Sequence, residues 1–379
     1  MGTNISKQRL ESLDVLRGAD LFFLMAVGPV VRRFIKTVDC EWLNKCYWLF
    51  EHAEWQGFTP WDIIMPLFVF MTGITIPFAL SRMREERNYG SALWRIVRRV
   101  AVLWIFGMIC QGGLFDKSPE TVYLYSNTLQ AIAVAYAVSA LLFLFTKLRT
   151  QIVVAVVLLL GYWAAMEFIS VDGFGGGDYS PEKNLAEWVD CQVLGRFRDG
   201  AKVVDGVVVF RANYHYTWIL SSLTFVVTGL LGMFAGVIAK SQMTEYRKLW
   251  WFAGSGIAMV VVGLIWGIWH PIIKMIWTSS MTLFSGGVCF LLLWLCYYLI
   301  DYKGYRRGLT LFKVYGMNSI AAYMMPKFVK VRAVLAALLA FLPFIMGDAW
   351  AGLVISIATV VVQYYLLYYM YKREIFLKV

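Results

Sequence analysis

Two residues whose side chains can form an acid–base pair, His52 and Asp62, lie ten positions apart in the segment EHAEWQGFTPWDIIMP, residues 51–66. A histidine titrates near neutral pH, so it can accept and return a proton, and its neutral imidazole is also a nucleophile. If the intervening turn folds back, Asp62 is predicted to orient the His52 ring. The alternative is that Asp62 only caps a helix, since it follows Pro60 by two residues at the start of an apolar run.

The chain has two further histidines, and aromatic residues lie next to this pair in the sequence. His215 and His270 are placed on the same side of the membrane as His52 by the topology described below. They show neither the i, i+4 pairing nor the carboxylate spacing of a metal site, so we expect no metal. Trp55 and its aromatic neighbours have the composition of a membrane-interface belt, and stacking against a sugar is the alternative.

The composition places the chain in a membrane. It has 379 residues, of which 60% are hydrophobic and 17% aromatic, against the roughly 45–50% apolar usage of soluble domains. Charged residues, 16% of the chain, separate apolar runs of a length that spans a bilayer as a helix. The sequence therefore predicts an all-α, polytopic membrane helix bundle. The net charge of +11 lies mostly in loops, and nucleic acid is not an expected partner.

Ten membrane spans are predicted from the apolar runs. A further apolar stretch, Ala333 to Met346, is short and contains Pro343, so it is interpreted as a re-entrant or interfacial piece. If it does span, the count becomes eleven. The ten predicted spans are 19–35, 59–81, 93–112, 127–146, 150–170, 217–239, 249–269, 281–300, 311–328 and 350–371.

Basic residues predict the orientation, because short cytoplasmic loops carry an excess of lysine and arginine. The connections after the third and seventh predicted spans hold one lysine each, Lys117 and Lys274, and are assigned to the outside. Both termini are then cytoplasmic, while His52 and the long connection 171–216 are extracytoplasmic. We expect a multi-pass membrane protein. The connection after the second span marks the cytoplasmic side with Arg82, Arg84, Arg87, Arg95, Arg98 and Arg99.

The connection 171–216 contains a glycine-rich turn followed by a stretch that could form a short amphipathic helix from Pro181 to Leu194. The connection could cap a cavity or be a solvated linker, and the sequence favours neither. The cysteines of the outer loops could form a local or an intersubunit disulfide, and the sequence does not specify their pairing. These are Cys40, Cys46 and Cys191.

Ionisable residues inside predicted spans are costly and often mark a site or a pathway. Asp14, Arg17 and Asp20 are spaced three apart at the entry to the first span. They fit a helix N-terminus with its counter-ion, or an anion site. A sugar or ion transporter with His52 and Asp20 in a proton relay is therefore a rival to an enzyme, and a non-catalytic membrane scaffold is a third interpretation.

The sequence resembles the heparan-α-glucosaminide N-acetyltransferase family of multi-span acyltransferases over nearly the whole chain. The resemblance implies one transmembrane acyltransferase domain over residues 1–379 and a bacterial-type member, in the inner membrane, while the extracytoplasmic insertion at 171–216 is an elaboration of this chain. It also implies transfer of an acetyl group from cytosolic acetyl-CoA to an amino sugar across the membrane. The matching segments are SLDVLRG, HAEWQGFTPWDIIMPLFVFMTGITIPF, TLQAIAVAY, IWTSSMTL, GMNSIAAY and YKREIFLKV.

This resemblance implies that His52 is the general base or a transient acyl carrier, with Asp62 as its orienting group. Gly28 and Ala131 replace residues common in the family, which leaves the acceptor sugar open. The expected partners are an amino sugar or oligosaccharide, the bilayer and a second copy of the chain in a homodimer. We predict phosphate contacts for CoA from Arg17, Arg98 and Arg99, tunnel-lining groups at Asn127, Gln130, Trp277, Ser279 and Asn318, and acceptor contacts from Glu51, Trp55 and His270.

Overall fold

The computed structural model describes residues 10–115, 122–210 and 215–377 of the chain. These residues are mostly helical, and the predicted all-α fold class is confirmed. Lys117 and positions 211–214 of the long connection lie outside the described residues. Within the described residues, strands occur only as two short antiparallel hairpins in that connection.

The helices are connected mostly by short turns. In chain order they are α1 Glu11–Phe22, α2 Gly28–Val38, α3 Glu41–Asn44, α4 Ile64–Glu85, α5 Tyr89–Cys110, α6 Thr128–Phe145, α7 Leu148–Phe168, α8 Leu185–Leu194, α9 Ser222–Lys240, α10 Glu245–Trp266, α11 Ser279–Cys296, α12 Thr310–Met317, α13 Ser319–Phe328, α14 Val331–Leu338 and α15 Leu342–Lys372. The strands are β1 Ser170–Val171, β2 Phe174–Gly175, β3 Ala201–Val204 and β4 Val207–Phe210.

Seven helices of the described chain are long and apolar enough to cross a membrane, and the protein is an integral membrane protein. They are Pro60–Glu85, Thr128–Phe145, Leu148–Phe168, Ser222–Lys240, Glu245–Trp266, Ser279–Tyr302 and Leu342–Lys372. Length and composition alone therefore support seven of the ten predicted spans.

The other three predicted spans fall on helices that are interrupted or charged. Span 19–35 is divided by a π-helical turn, Phe23–Val27, and span 311–328 is broken between α12 and α13 at Asn318. Span 93–112 is the single helix α5, which carries three arginines. The apolar stretch 333–346 forms most of α14 and the start of α15, which kinks at Gly347.

The chain folds into two compact units that interleave along the sequence. Unit 1 consists of Met1–Phe50, Glu245–Ala253 and Leu291–Lys378. Unit 2 contains Glu51–Thr244 and Gly254–Phe290. His52 and Asp62 both belong to unit 2. The single domain expected over residues 1–379 stays a prediction.

Glycines bring the backbones of α4 and α9 together inside unit 2. A Cβ atom built on Gly232 would lie 1.9 Å from the carbonyl oxygen of Phe70, and one on Gly236 would lie 2.5 Å from that of Ile74. Helices in a membrane gain little from the hydrophobic effect, so small residues that permit close van der Waals packing stabilise their association. This packing fixes α4, which continues directly from the turn that carries Asp62.

In unit 1, α1 and α12 approach each other in the same way. Gly18 faces the carbonyl oxygen of Phe312, and Gly316 faces that of Asp14, each too close for a Cβ atom. Asp20 is buried in α1.

The long connection 171–216 is packed in its described part, rather than being a solvated linker. Leu185 and Ala186 of α8 are buried in a cluster with Tyr162 of α7 and with Ile273 and Ile276 from the α10–α11 loop. The predicted helix 181–194 is present as α8, and the side chain of Asn184 caps it by accepting from Glu187 N at 2.8 Å. The described part of the connection therefore packs against the loop between α10 and α11.

Candidate functional site

The turn between His52 and Asp62 folds back and brings the two side chains together. His52 Nδ1 lies 2.7 Å from Asp62 Oδ1. The other carboxylate oxygen, Oδ2, accepts from Thr59 N at 2.9 Å and from Ala53 N at 3.2 Å, and lies 3.0 Å from Thr59 Oγ1. Thr59 and Asp62 form a capping box around the 3₁₀ turn that precedes α4. Asp62 therefore caps the helix with one oxygen and contacts the histidine with the other.

A lysine that the sequence marked only as a loop charge completes this arrangement. Lys274 Nζ lies 2.8 Å from His52 Nδ1 and 3.2 Å from Asp62 Oδ1. The side chains of Asp62 and Lys274 are 1% and 7% exposed, whereas that of His52 is 42% exposed. Burial lowers the pKa of Lys274 to about 8, although the Asp62 carboxylate opposes the shift. The lysine is therefore mostly charged at neutral pH.

The geometry leaves one edge of the His52 ring for a reaction. Asp62 and Lys274 both contact Nδ1, so Nε2 lies on the opposite, more exposed edge. When the Nδ1 proton points at the carboxylate, Nε2 carries a lone pair and can act as a base.

The loop between α10 and α11, which carries Lys274, is mostly buried from His270 to Thr278 and is fixed by hydrogen bonds. Its Ile272 carbonyl oxygen accepts from Gly57 N at 2.8 Å, and Ile273 forms a β-bridge with Gln56. The Ile276 carbonyl oxygen accepts from Tyr162 Oη and from Ser221 Oγ. Buried backbone groups need such partners, and here they also join the lysine loop directly to the histidine loop.

Trp277 in this loop has a backbone φ of 52°, which is unusual for a bulky residue. Its indole is buried, packs against Phe225 with ring centroids 4.8 Å apart, and donates to Thr228 Oγ1 at 3.3 Å. Tight packing on α9 holds this strained conformation. Trp277 thereby fixes the turn between Lys274 and α11.

His270 lies in the same loop with both ring nitrogens bonded. Nε2 accepts from Ser279 N at 2.9 Å, so Nδ1 carries the proton of the neutral ring and donates to Tyr179 Oη, also at 2.9 Å. Tyr179 in turn donates to Glu167 Oε2 at 2.8 Å. Burial lowers the pKa of His270 to about 3. The ring is a neutral structural link at physiological pH.

Comparisons with known proteins find two similar curated sequences. The chain is 25% identical to the heparan-alpha-glucosaminide N-acetyltransferase of Homo sapiens over 370 residues, which cover 83% of this chain and 52% of the relative. It is 24% identical to the Mus musculus protein of the same name over 371 residues, with 84% and 53% covered. No protein-family model matches the chain.

The chain is a distant relative of the heparan-alpha-glucosaminide N-acetyltransferases. It spans about half the length of the curated relatives it matches. The resemblance inferred from its sequence motifs is thus confirmed at the level of family relationship.

Four of the residues predicted to line a tunnel make hydrogen bonds within the protein. Asn127 and Gln130 form a capping box at the start of α6, and Gln130 Nε2 also donates to Leu124 O at 2.6 Å. Ser279 Oγ donates to Leu159 O at 2.8 Å. Asn318, in unit 1, is buried at the break between α12 and α13, where Oδ1 accepts from Leu377 N at 3.3 Å. Their contact with CoA stays a prediction.

The arginines predicted to contact the phosphates of CoA have different surroundings. Arg98 is exposed on α5, whereas Arg99 is half-buried and places its guanidinium 4.3 Å from the ring centroid of Tyr136. Arg17, in unit 1, lies 3.8 Å from Asp14. Among the three, Arg98 is the most exposed.

The residues predicted to contact the acceptor lie around the histidine loop. Glu51 is exposed, and its carbonyl oxygen is 2.6 Å from Thr59 Oγ1. Trp55 is half-buried, donates from Nε1 to Tyr179 O at 2.8 Å, and packs edge-on against His215. Trp55 therefore joins the His52 loop to the His270 network.

The described residues contain no group of three or more His, Cys, Asp or Glu side chains placed to hold a metal ion. All six cysteines, including Cys40, Cys46 and Cys191, are free thiols.

Proposed function

We propose that the chain is a membrane N-acetyltransferase that moves an acetyl group from acetyl-CoA to the amine of a glucosamine-like sugar, with His52 as general base. The observation that carries the proposal is the half-exposed His52 ring, held at Nδ1 by the buried Asp62 carboxylate with Nε2 on its open edge. The names of the two relatives support the reaction class and the type of acceptor.

The reaction needs the sugar amine in its unprotonated form, because only the free lone pair attacks the thioester carbonyl. As the C–N bond forms, His52 Nε2 accepts the proton released from the amine nitrogen, and Asp62 stabilises the resulting imidazolium. The C–S bond then breaks, and the departing thiolate of CoA takes the proton back from His52. The products are the N-acetyl sugar and the free thiol, and the base is regenerated.

Direct transfer in a ternary complex is the preferred route. It avoids exposing a hydrolysable acetyl-imidazole to water at the open edge of His52. Initial-rate lines for the two substrates should then intersect, and acetyl-CoA alone should leave no label on the protein. Parallel lines, with a burst of CoA release and a labelled peptide containing His52, would establish a transient acyl-histidine instead.

The charge distribution supports an orientation with acetyl-CoA in the cytoplasm and the sugar outside, as in a bacterial inner membrane with both termini cytoplasmic. Arg98 then lies on the donor side and His52 on the acceptor side. Arg17, Arg98 and Arg99 remain the proposed contacts for the phosphates of CoA, and Glu51, Trp55 and His270 remain proposed acceptor contacts.

The test is thiol release from acetyl-CoA by the purified protein, with and without amino sugars. The enzyme should release thiol only when an acceptor is present, whereas a transporter or scaffold should release none. His52→Ala should reduce this rate by about 10²–10⁴-fold, the usual contribution of a general base. Because the ring is half exposed, the variant should fold. Wild-type turnover in a folded His52→Ala protein would end the assignment.

A further inference from the structure

The Nδ1 atom of His52 has two competing neighbours. Asp62 Oδ1 at 2.7 Å can only accept a hydrogen bond, and the Lys274 ammonium at 2.8 Å can only donate one. A single ring nitrogen cannot serve both at once. When Nδ1 carries a proton it donates to Asp62, and Lys274 then donates to the same carboxylate oxygen, 3.2 Å away. That state leaves the Nε2 lone pair free.

The charges of these neighbours have opposite effects on the ring. A buried carboxylate beside a histidine stabilises the imidazolium, and an imidazolium cannot accept a proton from a sugar amine. A cation in contact with the same nitrogen disfavours the imidazolium. The two effects oppose each other only while Lys274 stays in place.

We propose that Lys274 is a positioning residue of the acetyl-transfer site, whose ammonium offsets the Asp62 carboxylate and keeps the His52 imidazole neutral and able to act as a base. This role rests on the proposed function of His52. Nothing in the sequence spacing indicated it, because Lys274 and His52 are 222 positions apart.

The backbone of the lysine loop supports this role. Gly57 N donates to Ile272 O, and Gln56 pairs with Ile273, so the segment just before Lys274 is joined to the segment just after His52. The lysine side chain is almost fully buried and cannot move into water without disrupting this loop. Its pKa of about 8 leaves it charged at pH 7.

Other titratable groups on the neighbouring segments do not replace it. Glu51 and Glu54 are exposed, where solvent screens their charges. Tyr216 precedes α9, and burial together with the Asp62 charge raises its pKa to about 12, so it is neutral. His215 packs against Trp55. Among the residues that the structure describes on these segments, Lys274 is therefore the cation that balances Asp62 at His52.

The first measurement does not depend on catalysis. Diethyl pyrocarbonate modifies neutral imidazole, so the rate at which the His52 peptide is modified between pH 5 and pH 9, followed by mass spectrometry, reports the pKa of His52. In Lys274→Met this pKa should rise by at least about one unit, a tenfold change, because the carboxylate is no longer offset. Lys274→Arg keeps the charge and should titrate close to wild type. Lys248→Met, which removes a buried lysine paired with Glu245 in unit 1, is the matched control and should also titrate as wild type.

The double variant Asp62→Asn/Lys274→Met removes both charges and should abolish the change in the pH dependence of His52 modification that Lys274→Met alone produces. It also covers the case in which Lys274→Met does not fold. A His52 titration that is the same in wild type and in Lys274→Met, or a double variant that stays as far shifted as the single one, would overturn the role of Lys274.

The second measurement is the pH dependence of kcat/KM for acetyl transfer. Its acid limb should move to higher pH in Lys274→Met by the same amount as the His52 titration, with activity recovered at alkaline pH. A lysine that only maintained the fold would lower the rate equally at every pH. If wild type shows no acceptor-dependent thiol release, the proposed function fails, while the chemical titration still decides the effect of Lys274 on His52.

Discussion

Replacing Asp62 by asparagine should damage both stability and catalysis, for separate reasons that the contacts define. An asparagine side chain can keep its oxygen toward Thr59 N and Ala53 N, since those donors need only an acceptor. Its NH₂ group then takes the place of Oδ1. This group is a donor, and it would face the Lys274 ammonium, another donor, at the present 3.2 Å separation.

The cost to stability follows from the burial of Lys274. Its side chain is 7% exposed, and the variant removes its counter-ion. Removing one partner of a buried ion pair costs about 3–5 kcal/mol. The adjacent half-exposed His52 admits some water, so we expect the lower end, about 3 kcal/mol. The double variant with Lys274→Met removes the unpaired charge and should recover most of this loss.

The cost to catalysis follows from the tautomer of His52. The new NH₂ group donates to Nδ1, which places the ring proton on Nε2, the nitrogen left for the substrate. A base with its proton on the wrong nitrogen cannot act, so transfer should fall by about 10²–10⁴-fold.

Equilibrium unfolding in detergent micelles and acceptor-dependent thiol release measure these two effects separately. His52→Ala is the comparison, because it should lose similar activity with a much smaller change in the free energy of unfolding. An Asp62→Asn protein as stable as wild type would show that Lys274 does not depend on the carboxylate. Undiminished turnover would show that Asp62 does not orient the base.

Three further predictions concern packing, pH and orientation. Gly232→Ala should lower the free energy of unfolding by at least about 1 kcal/mol, since its Cβ would meet the α4 backbone, whereas Gly254→Ala, with open space around it, should not destabilise; equal effects on unfolding in micelles would contradict the close packing. His270 has a folded pKa of about 3, below its ordinary 6.5, so the unfolded chain binds a proton first as pH falls. The stability it contributes is complete above pH 6.5 and should decline by about 1.4 kcal/mol per unit toward pH 3, a slope absent in His270→Phe and measurable by unfolding at several pH values. In a cysteine-free background, membrane-impermeant thiol reagents should label Lys183→Cys from outside but not Asn88→Cys, and the reverse would invert the proposed direction of transfer.

The sequence allowed the His52–Asp62 contact to be anticipated because both residues lie in one short segment, where a single turn can join them. Lys274 could not be found in this way, since a contact over 222 positions depends on how α10 and α11 pack. Its position in an outer loop made it look like a topology marker. The β-bridge between Gln56 and Ile273, the residue before Lys274, has no periodic signal in either segment.

Local patterns account for some features of the structure and not for others. Asn127 and Gln130 have the N-cap and N3 spacing of a capping box, a signal that predicts their place at the start of α6, whereas their role in a tunnel stays a prediction. The long apolar helices were predictable from composition, as α4, α6 and α9 show. The break at Asn318 was not, because no proline or glycine occupies that position and the interruption depends on packing within unit 1.

The great sequence distance between Asp62 and Lys274 has a consequence for biosynthesis. The acidic residue is made first, and α4 to α10 must all be synthesised before its cationic partner emerges from the ribosome. During that interval an unpaired carboxylate in the middle of a bilayer would oppose insertion of its helix. Asp62 lies instead in the first turn of the Pro60–Glu85 span, where headgroup water can solvate the charge until the lysine arrives. The position of the acid at the end of the helix thus favours membrane insertion as well as the proposed proton transfer.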